Sequence, residues 1–147
     1  MIWFTDTSAL VKRYVNELGS QWLRRELAQH QIILAQITSV EMVSALGKRF
    51  RQGHISQFAL YQSRRRFLAH RAQQQYQIVE LSAPIIEEAM RLAVVYELRA
   101  YDAVQLATAL SAAKGVDRNR FVFITADFQL EAASAAEGMQ VENPLNH

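Results

Sequence analysis

Four acidic residues, Asp6, Glu41, Asp102 and Asp127, each stand just after an apolar run or at the mouth of an apolar helix. Asp6 follows Met1-Ile2-Trp3-Phe4-Thr5, Glu41 comes a few residues after Ile32-Ile33-Leu34-Ala35, and Asp127 follows Phe121-Val122-Phe123-Ile124-Thr125. In an open parallel sheet, ligands collect beyond the carboxyl ends of the strands, so acids distant in sequence can converge there. Two carboxylates about 4 Å apart repel by roughly 4 kcal/mol at an effective dielectric of 20. A divalent cation offsets that repulsion, and an all-oxygen site suits Mg²⁺ or Mn²⁺ rather than Zn²⁺. Such an ion generates a hydroxide nucleophile from bound water, orients a phosphodiester and stabilises the leaving oxygen. The chemistry that follows from convergence is phosphodiester hydrolysis.

Taken singly, each acid also has a structural explanation. Asp6 can cap a helix beginning near Ser8, and Glu41 can be the partner of Thr38 in a capping box, each worth about 1 kcal/mol. Asp102 sits where a helix dipole favours negative charge by roughly 0.3 to 1 kcal/mol. Asp127 can close an Asx-turn after its strand. Capping alone does not balance several mutually repelling carboxylates.

The elements that must position these acids alternate between strand and helix, the pattern of an α/β domain with a mainly parallel sheet. Strands are expected at Ile2 to Thr5, Ile32 to Ala35, Ile78 to Leu81, Phe121 to Thr125 and Met139 to Val141. Helices are expected from Ser8 to Val15, from Gly19-Ser20 through Leu27, from Thr38 to Gly53, and from Ile55 to about Gln75. Ser82 with Pro84 opens another helix with a stripe at Ile85, Ala89, Leu92, Ala93 and Tyr96. The alanine-rich run Ala103 to Ala113 must lie close against the sheet and ends at Lys114-Gly115, and a last short helix passes through Leu130 and Ala133.

At 147 residues the chain fits one domain, residues 1–147, long enough to bury a sizeable core. It has no cysteine, so thiolate metal sites and a cysteine nucleophile are excluded, and a reducing compartment fits. Met1 leads directly into an apolar segment with an acid at position 6, unlike a signal peptide, and no apolar stretch approaches the roughly 18 residues that span a bilayer. These features predict a cytoplasmic location and no membrane partner. The net charge of +2 is unevenly spread. No acid lies between Glu41 and Glu80, a stretch that carries Lys48, Arg49, Arg51, Arg64, Arg65, Arg66 and Arg71 with His54 and His70. Such a block is a solvated face, a patch for an acidic protein, or a nucleic-acid contact, with Arg64, Arg65, Arg66 and Arg71 the RNA-binding candidates. The histidines show no metal-ligand spacing, and no nucleophile-elbow motif surrounds Ser8.

The segments Asp6-Thr7-Ser8-Ala9-Leu10-Val11-Lys12, Ser39-Val40-Glu41, Arg99-Ala100-Tyr101-Asp102-Ala103-Val104-Gln105-Leu106-Ala107 and Thr125-Ala126-Asp127 resemble those of PIN-domain ribonucleases. More narrowly they resemble the VapC toxins of toxin–antitoxin pairs. The resemblance runs from Met1 to about Val141 and implies a three-layer α/β/α sandwich around a four- or five-stranded, mainly parallel sheet. It implies a Mg²⁺- or Mn²⁺-dependent endoribonuclease, commonly a homodimer, with a VapB-like antitoxin whose tail blocks the active site. By resemblance Asp6, Glu41 and Asp102 match the core acids and metal ligands, and Asp127 the fourth, more variable one. Thr125 matches the supporting hydroxyl residue, and Ser8 the small polar position after the first acid. A haloacid-dehalogenase-type phosphotransferase wants a second aspartate two residues after the first, where Ser8 stands. The remaining rival is a non-catalytic PIN-like module that binds RNA or protein through the basic stretch.

Overall fold

Aromatic and β-branched residues dominate Ile2–Thr5 (β1) and Phe121–Ile124 (β4), and such residues suit a strand buried on both faces. In the computed structural model, which describes residues 1–147, these two strands pair in parallel at the centre of the sheet. Gln31–Ala35 (β2) and Gln77–Val79 (β3) extend the sheet on one side, and Gln140–Glu142 (β5) closes it on the other. The order is β3-β2-β1-β4-β5 and every pairing is parallel. The sheet therefore has five strands and is wholly parallel. The chain starts at the centre, winds outward through β2 and β3, then returns to β4, so strand order reverses between β1 and β4. That reversal opens a crevice at the carboxyl ends of the two strands.

Seven α-helices cover the sheet: Thr7–Leu10 (α1), Ser20–Leu27 (α2), Thr38–Arg51 (α3), Gln57–Ala72 (α4), Ala83–Val95 (α5), Ala100–Ala113 (α6) and Phe128–Ala136 (α7). Successive strand residues point to opposite faces, and the burial follows that rule. Trp3, Ile32, Leu34, Val122 and Ile124 join Leu10, Leu23, Met42, Leu46 and Phe67 from α1 to α4 in one core. Phe4, Ile33, Ala35, Phe121 and Phe123 join Ile85, Leu92, Leu106 and Leu130 from α5, α6 and α7 in the other. The result is the α/β/α sandwich expected. Ala103, Ala107 and Ala109 are buried in the second core, where small side chains let α6 pack closely. No helix is long and apolar enough to cross a membrane.

Several boundaries differ from the sequence expectation. The first helix is a single α-turn continued by a 3₁₀ turn over Val11–Arg13 rather than one helix to Val15. β3 ends at Val79, because the amide of Leu81 leaves the ladder and donates to Gln36 Oε1 at 2.9 Å. The capping box does not form: Thr38 lies inside α3, whose N-cap is Ile37 with no side-chain cap bond. Ser56 and Ser82 do cap α4 and α5, accepting from Ala59 N and Ile85 N. Gly19 takes φ +86° where a Cβ would come within 2.6 Å of Pro144 O, so the left-handed turn and the close approach both require glycine.

Candidate active site

Asp6 stands at the end of β1, where its amide still donates to Ile124 O of β4 at 3.0 Å. Its carboxylate caps α1 by accepting from Ala9 N at 3.0 Å, as expected for an acid at this position. Ser8 Oγ lies 2.9 Å from both carboxylate oxygens, and Thr125 Oγ1 donates to Oδ2 at 3.0 Å. Ser8 Oγ also accepts from Ala126 N at 2.9 Å, and Thr125 Oγ1 from Asp127 N at 3.1 Å. The two hydroxyls thus tie Asp6 to the turn that carries Asp127. Asp6 is buried, and that burial pushes its carboxyl up to about 7. The bonds from Ala9, Ser8 and Thr125 oppose the shift, and Asp102 adds to it.

Glu41 reaches the same crevice from α3, in the layer on one face of the sheet. Its partner is not Thr38 but Gln105 of α6, in the layer on the other face: Gln105 Nε2 donates to Glu41 Oε1 at 2.8 Å. The same nitrogen lies 2.9 Å from Thr38 Oγ1 and 3.3 Å from Thr7 Oγ1. Gln105 is 1% exposed, so this one side chain joins α1, α3 and α6 over the sheet edge. Burial raises the Glu41 carboxyl, bonds from Gln105 and Thr7 resist, and Asp102 adds to the rise.

Asp102 lies in the first turn of α6. Its carboxyl is raised by burial and then by Asp127, with Arg99 opposing. Asp127 is the N-cap of α7, accepting from Leu130 N at 2.8 Å, a helix cap rather than the closing bond of an Asx-turn. Asp6, Ser8, Glu41, Asp102 and Asp127 all line one cavity of about 710 Å³. Thr125 stands beneath it, held against Asp6.

The donor set fits a hard divalent cation. The oxygens it offers belong to carboxylates that push one another's pKa upward, from Asp127 to Asp102 and from Asp102 to Asp6 and Glu41. A cation among them relieves that repulsion. No three of the acids stand close enough together to hold a metal ion among them; Mg²⁺ keeps several of its waters and is usually bound through one or two carboxylates.

The basic candidates fall elsewhere. Arg64, Arg65, Arg66 and Arg71 lie on α4 and do not line the cavity. Arg66 stacks over the Tyr14 ring at 5.7 Å, Arg71 donates to Ser39 Oγ at 2.9 Å, and Arg64 and Arg65 are exposed. The cations that do line the cavity are Lys48, Arg49 and Arg99. Arg49 is committed to Glu17 through Nε and Nη2, both at 3.0 Å, and the buried Lys12 joins the same carboxylate at 3.1 Å. Of the residues that sequence reasoning missed, Gln105 had a signal. It is the one amide in an alanine- and leucine-rich helix, three positions after Asp102 and so on the same face.

No curated protein matches the chain in sequence. Among solved structures, the crystal structure of PAE2754 from Pyrobaculum aerophilum aligns with a TM-score of 0.68 at 21% identity, covering 96% of this chain and 83% of that one. A toxin–antitoxin complex from Klebsiella pneumoniae gives 0.64 at 22% identity, covering 96% of each chain. VapBC2 from Rickettsia felis, bound to a DNA fragment from its promoter, gives 0.64 at 15% identity, covering 97% of this chain and 98% of that one. Identities this low carry the fold alone. The family model of the PIN domain matches residues 3–135, which spans both central strands and all four acids: the chain belongs to the PIN domain family.

Proposed function

We propose that this protein is a metal-dependent endoribonuclease and the toxin of a toxin–antitoxin pair. The observation that carries this is the meeting of Asp6, Glu41, Asp102 and Asp127, from four different elements, in one cavity at the point where strand order reverses. Asp6, Glu41 and Asp102 would hold Mg²⁺ or Mn²⁺, in part through the ion's own waters, with Asp127 completing the site. A divalent ion held there would supply an activated water and neutralise charge on the phosphodiester. Within the chain, Ser8 and Thr125 fix the Asp6 carboxylate, and Gln105 fixes that of Glu41. Thr125 also sets the turn that presents Asp127.

Two observations support the partner assignments. The toxin–antitoxin complex from Klebsiella pneumoniae and VapBC2 from Rickettsia felis share this fold over nearly their whole length, which favours a VapB-like antitoxin as partner. Ile86, Met90 and Val94 form a stripe on one face of α5 with exposures of 39%, 61% and 81%, an apolar surface suited to a second copy of the chain. The protein then works as a homodimer in the cytoplasm, where its RNA substrate is found. The test is cleavage of RNA in Mg²⁺ or Mn²⁺ by the wild type and by Asp6→Asn. The wild type cleaves and the variant does not; equal cleavage by both sinks the assignment.

A further inference from the structure

A second concavity, of about 530 Å³, lies among α2, α4 and the turn that follows the 3₁₀ segment, and it shares no residue with the acidic cavity. Arg24 of α2, Arg66 of α4 and His54, just ahead of α4, line it, and no acid does. Neither arginine belongs to an ion pair. Glu17, the acid within that turn, is already held by Lys12 and Arg49, and the chain from Met42 to Val79 contains no acid at all. The two guanidiniums are nevertheless held in place. Arg24 donates from Nε to Arg13 O at 2.9 Å and from Nη1 to Asn16 Oδ1 at 2.6 Å, which leaves Nη2 without an acceptor. Arg66 lies over the Tyr14 ring, 5.7 Å from its centre, and Arg13 lies over the same ring at 5.8 Å. That ring is itself fixed: Tyr14 is 5% exposed, its carbonyl accepts from Ser63 Oγ at 3.1 Å, and its hydroxyl is bonded to Tyr76 and to His70 Nδ1. Positive groups gathered about a rigid floor with no counter-ion draw an anion.

We propose that this concavity is a phosphate site, with the phosphate held between Arg24 and Arg66 and faced by His54. The arrangement favours phosphate over carboxylate. A carboxylate brings one charge and two oxygens in one plane, whereas a phosphate brings up to two charges and three strong acceptor oxygens, and the donors here arrive from three separate segments of the chain. The concavity is larger than one phosphate, so the group can belong to a free nucleotide or to an RNA strand passing outside the acidic cavity; the recognition chemistry is the same. Arg64 and Arg65, although next to Arg66 in sequence, do not line it. Nor does any of the four acids, so the site stands apart from the nuclease assignment.

The experiment is calorimetric titration of pyrophosphate into the full-length protein, with chelator present so that no metal draws phosphate to the acidic cavity. Pyrophosphate binds saturably at a single site. Arg24→Gln and Arg66→Gln each weaken it by about tenfold, the loss of one charge-assisted hydrogen bond, while Arg64→Gln binds as the wild type does. All three arginines are exposed on their helices, so the variants keep the fold. A second arm follows a short single-stranded RNA by fluorescence anisotropy in the same buffer and separates the two sources. If Arg24→Gln with Arg66→Gln weakens RNA binding and pyrophosphate competes with the strand, the phosphate is that of the RNA backbone. If RNA affinity is unchanged in that pair, the phosphate is that of a free nucleotide, and either result upholds the site. Absence of pyrophosphate binding, or binding that both arginine variants leave unaltered, overturns the proposal. So does a hexaglutamate peptide that binds at least as tightly and is lost in the same variants, since the concavity then takes an acidic segment of a protein.

Discussion

Gln105 of α6 donates a hydrogen bond to the Glu41 carboxylate of α3 at 2.8 Å, and through it the two helical layers meet over the edge of the sheet. Groups that hold a metal ligand in place are worth roughly 10- to 100-fold in metal affinity or activity. Gln105→Leu keeps the volume and removes the donor. It is expected to weaken Mn²⁺ binding by about that factor in a calorimetric titration, with a cost to stability of only about 1 kcal/mol. Unchanged affinity would show that Glu41 needs no such partner.

Asp6 ties stability to pH. Its folded carboxyl is raised to about 7 by burial, above the roughly 3.9 of an unfolded aspartate. Without metal, its contribution to stability is fully present below about pH 4 and is lost as pH rises through 7. Asn at this position can still accept from Ala9 N and carries no charge. Asp6→Asn is therefore expected to be more stable than the wild type at pH 8, by on the order of 3 kcal/mol, with the gap closing toward pH 4. Parallel denaturation profiles across this range would count against a strained, buried carboxylate.

Divalent cation should close most of that gap. At a hundredfold excess over its dissociation constant, a ligand bound only by the native state stabilises by about 2.7 kcal/mol. Mg²⁺ or Mn²⁺ added at pH 8 raises the melting temperature of the wild type, and chelator restores the original value. Asp6→Asn shows little or no rise. A rise of the same size in both proteins would place the cation somewhere other than the acidic cavity.

Arg64 and Arg65 stand exposed on α4, away from the cavity lining. From that position their charge would reach RNA bound in the cavity only through screened, long-range attraction, for which the Debye length is about 8 Å at physiological ionic strength. Arg64→Gln with Arg65→Gln should leave the single-turnover cleavage rate within about twofold at that salt. Abolition of RNA binding by this pair, with the acid variants behaving as wild type, would instead favour a non-catalytic binding module.

The sheet and the acids at its edge were legible in the sequence because both rest on strong local signals. Phe121 to Ile124 and Ile2 to Thr5 are short apolar runs, and an acid after such a run has few places to go. The partner of Glu41 was not legible. Thr38 and Glu41 have capping-box spacing, but Ile37 takes the N-cap, and the bond that decides Glu41 comes from Gln105, 64 residues away in sequence. The basic stretch was only partly placed by its sequence: Lys48 and Arg49 of it line the cavity, and the arginines of α4 do not. Charge density along the chain drew attention to Arg64, Arg65 and Arg66, while helix phase and tertiary pairing decide which cations reach the cavity. The rim therefore falls to Lys48 and Arg99, with Arg49 held back by Glu17.

The central claim is that the converging carboxylates perform hydrolysis of RNA, and single-turnover cleavage of a labelled RNA in Mg²⁺ by the wild type and Asp102→Asn tests it most directly. Asp102 is the acid whose charge reaches both Asp6 and Glu41, and it caps no helix, so its loss should leave the fold intact. The account predicts metal-dependent cleavage by the wild type and a rate at least roughly 100-fold lower in the folded variant. Cleavage at the same rate by both proteins, or cleavage by the wild type that persists in excess chelator, would contradict it.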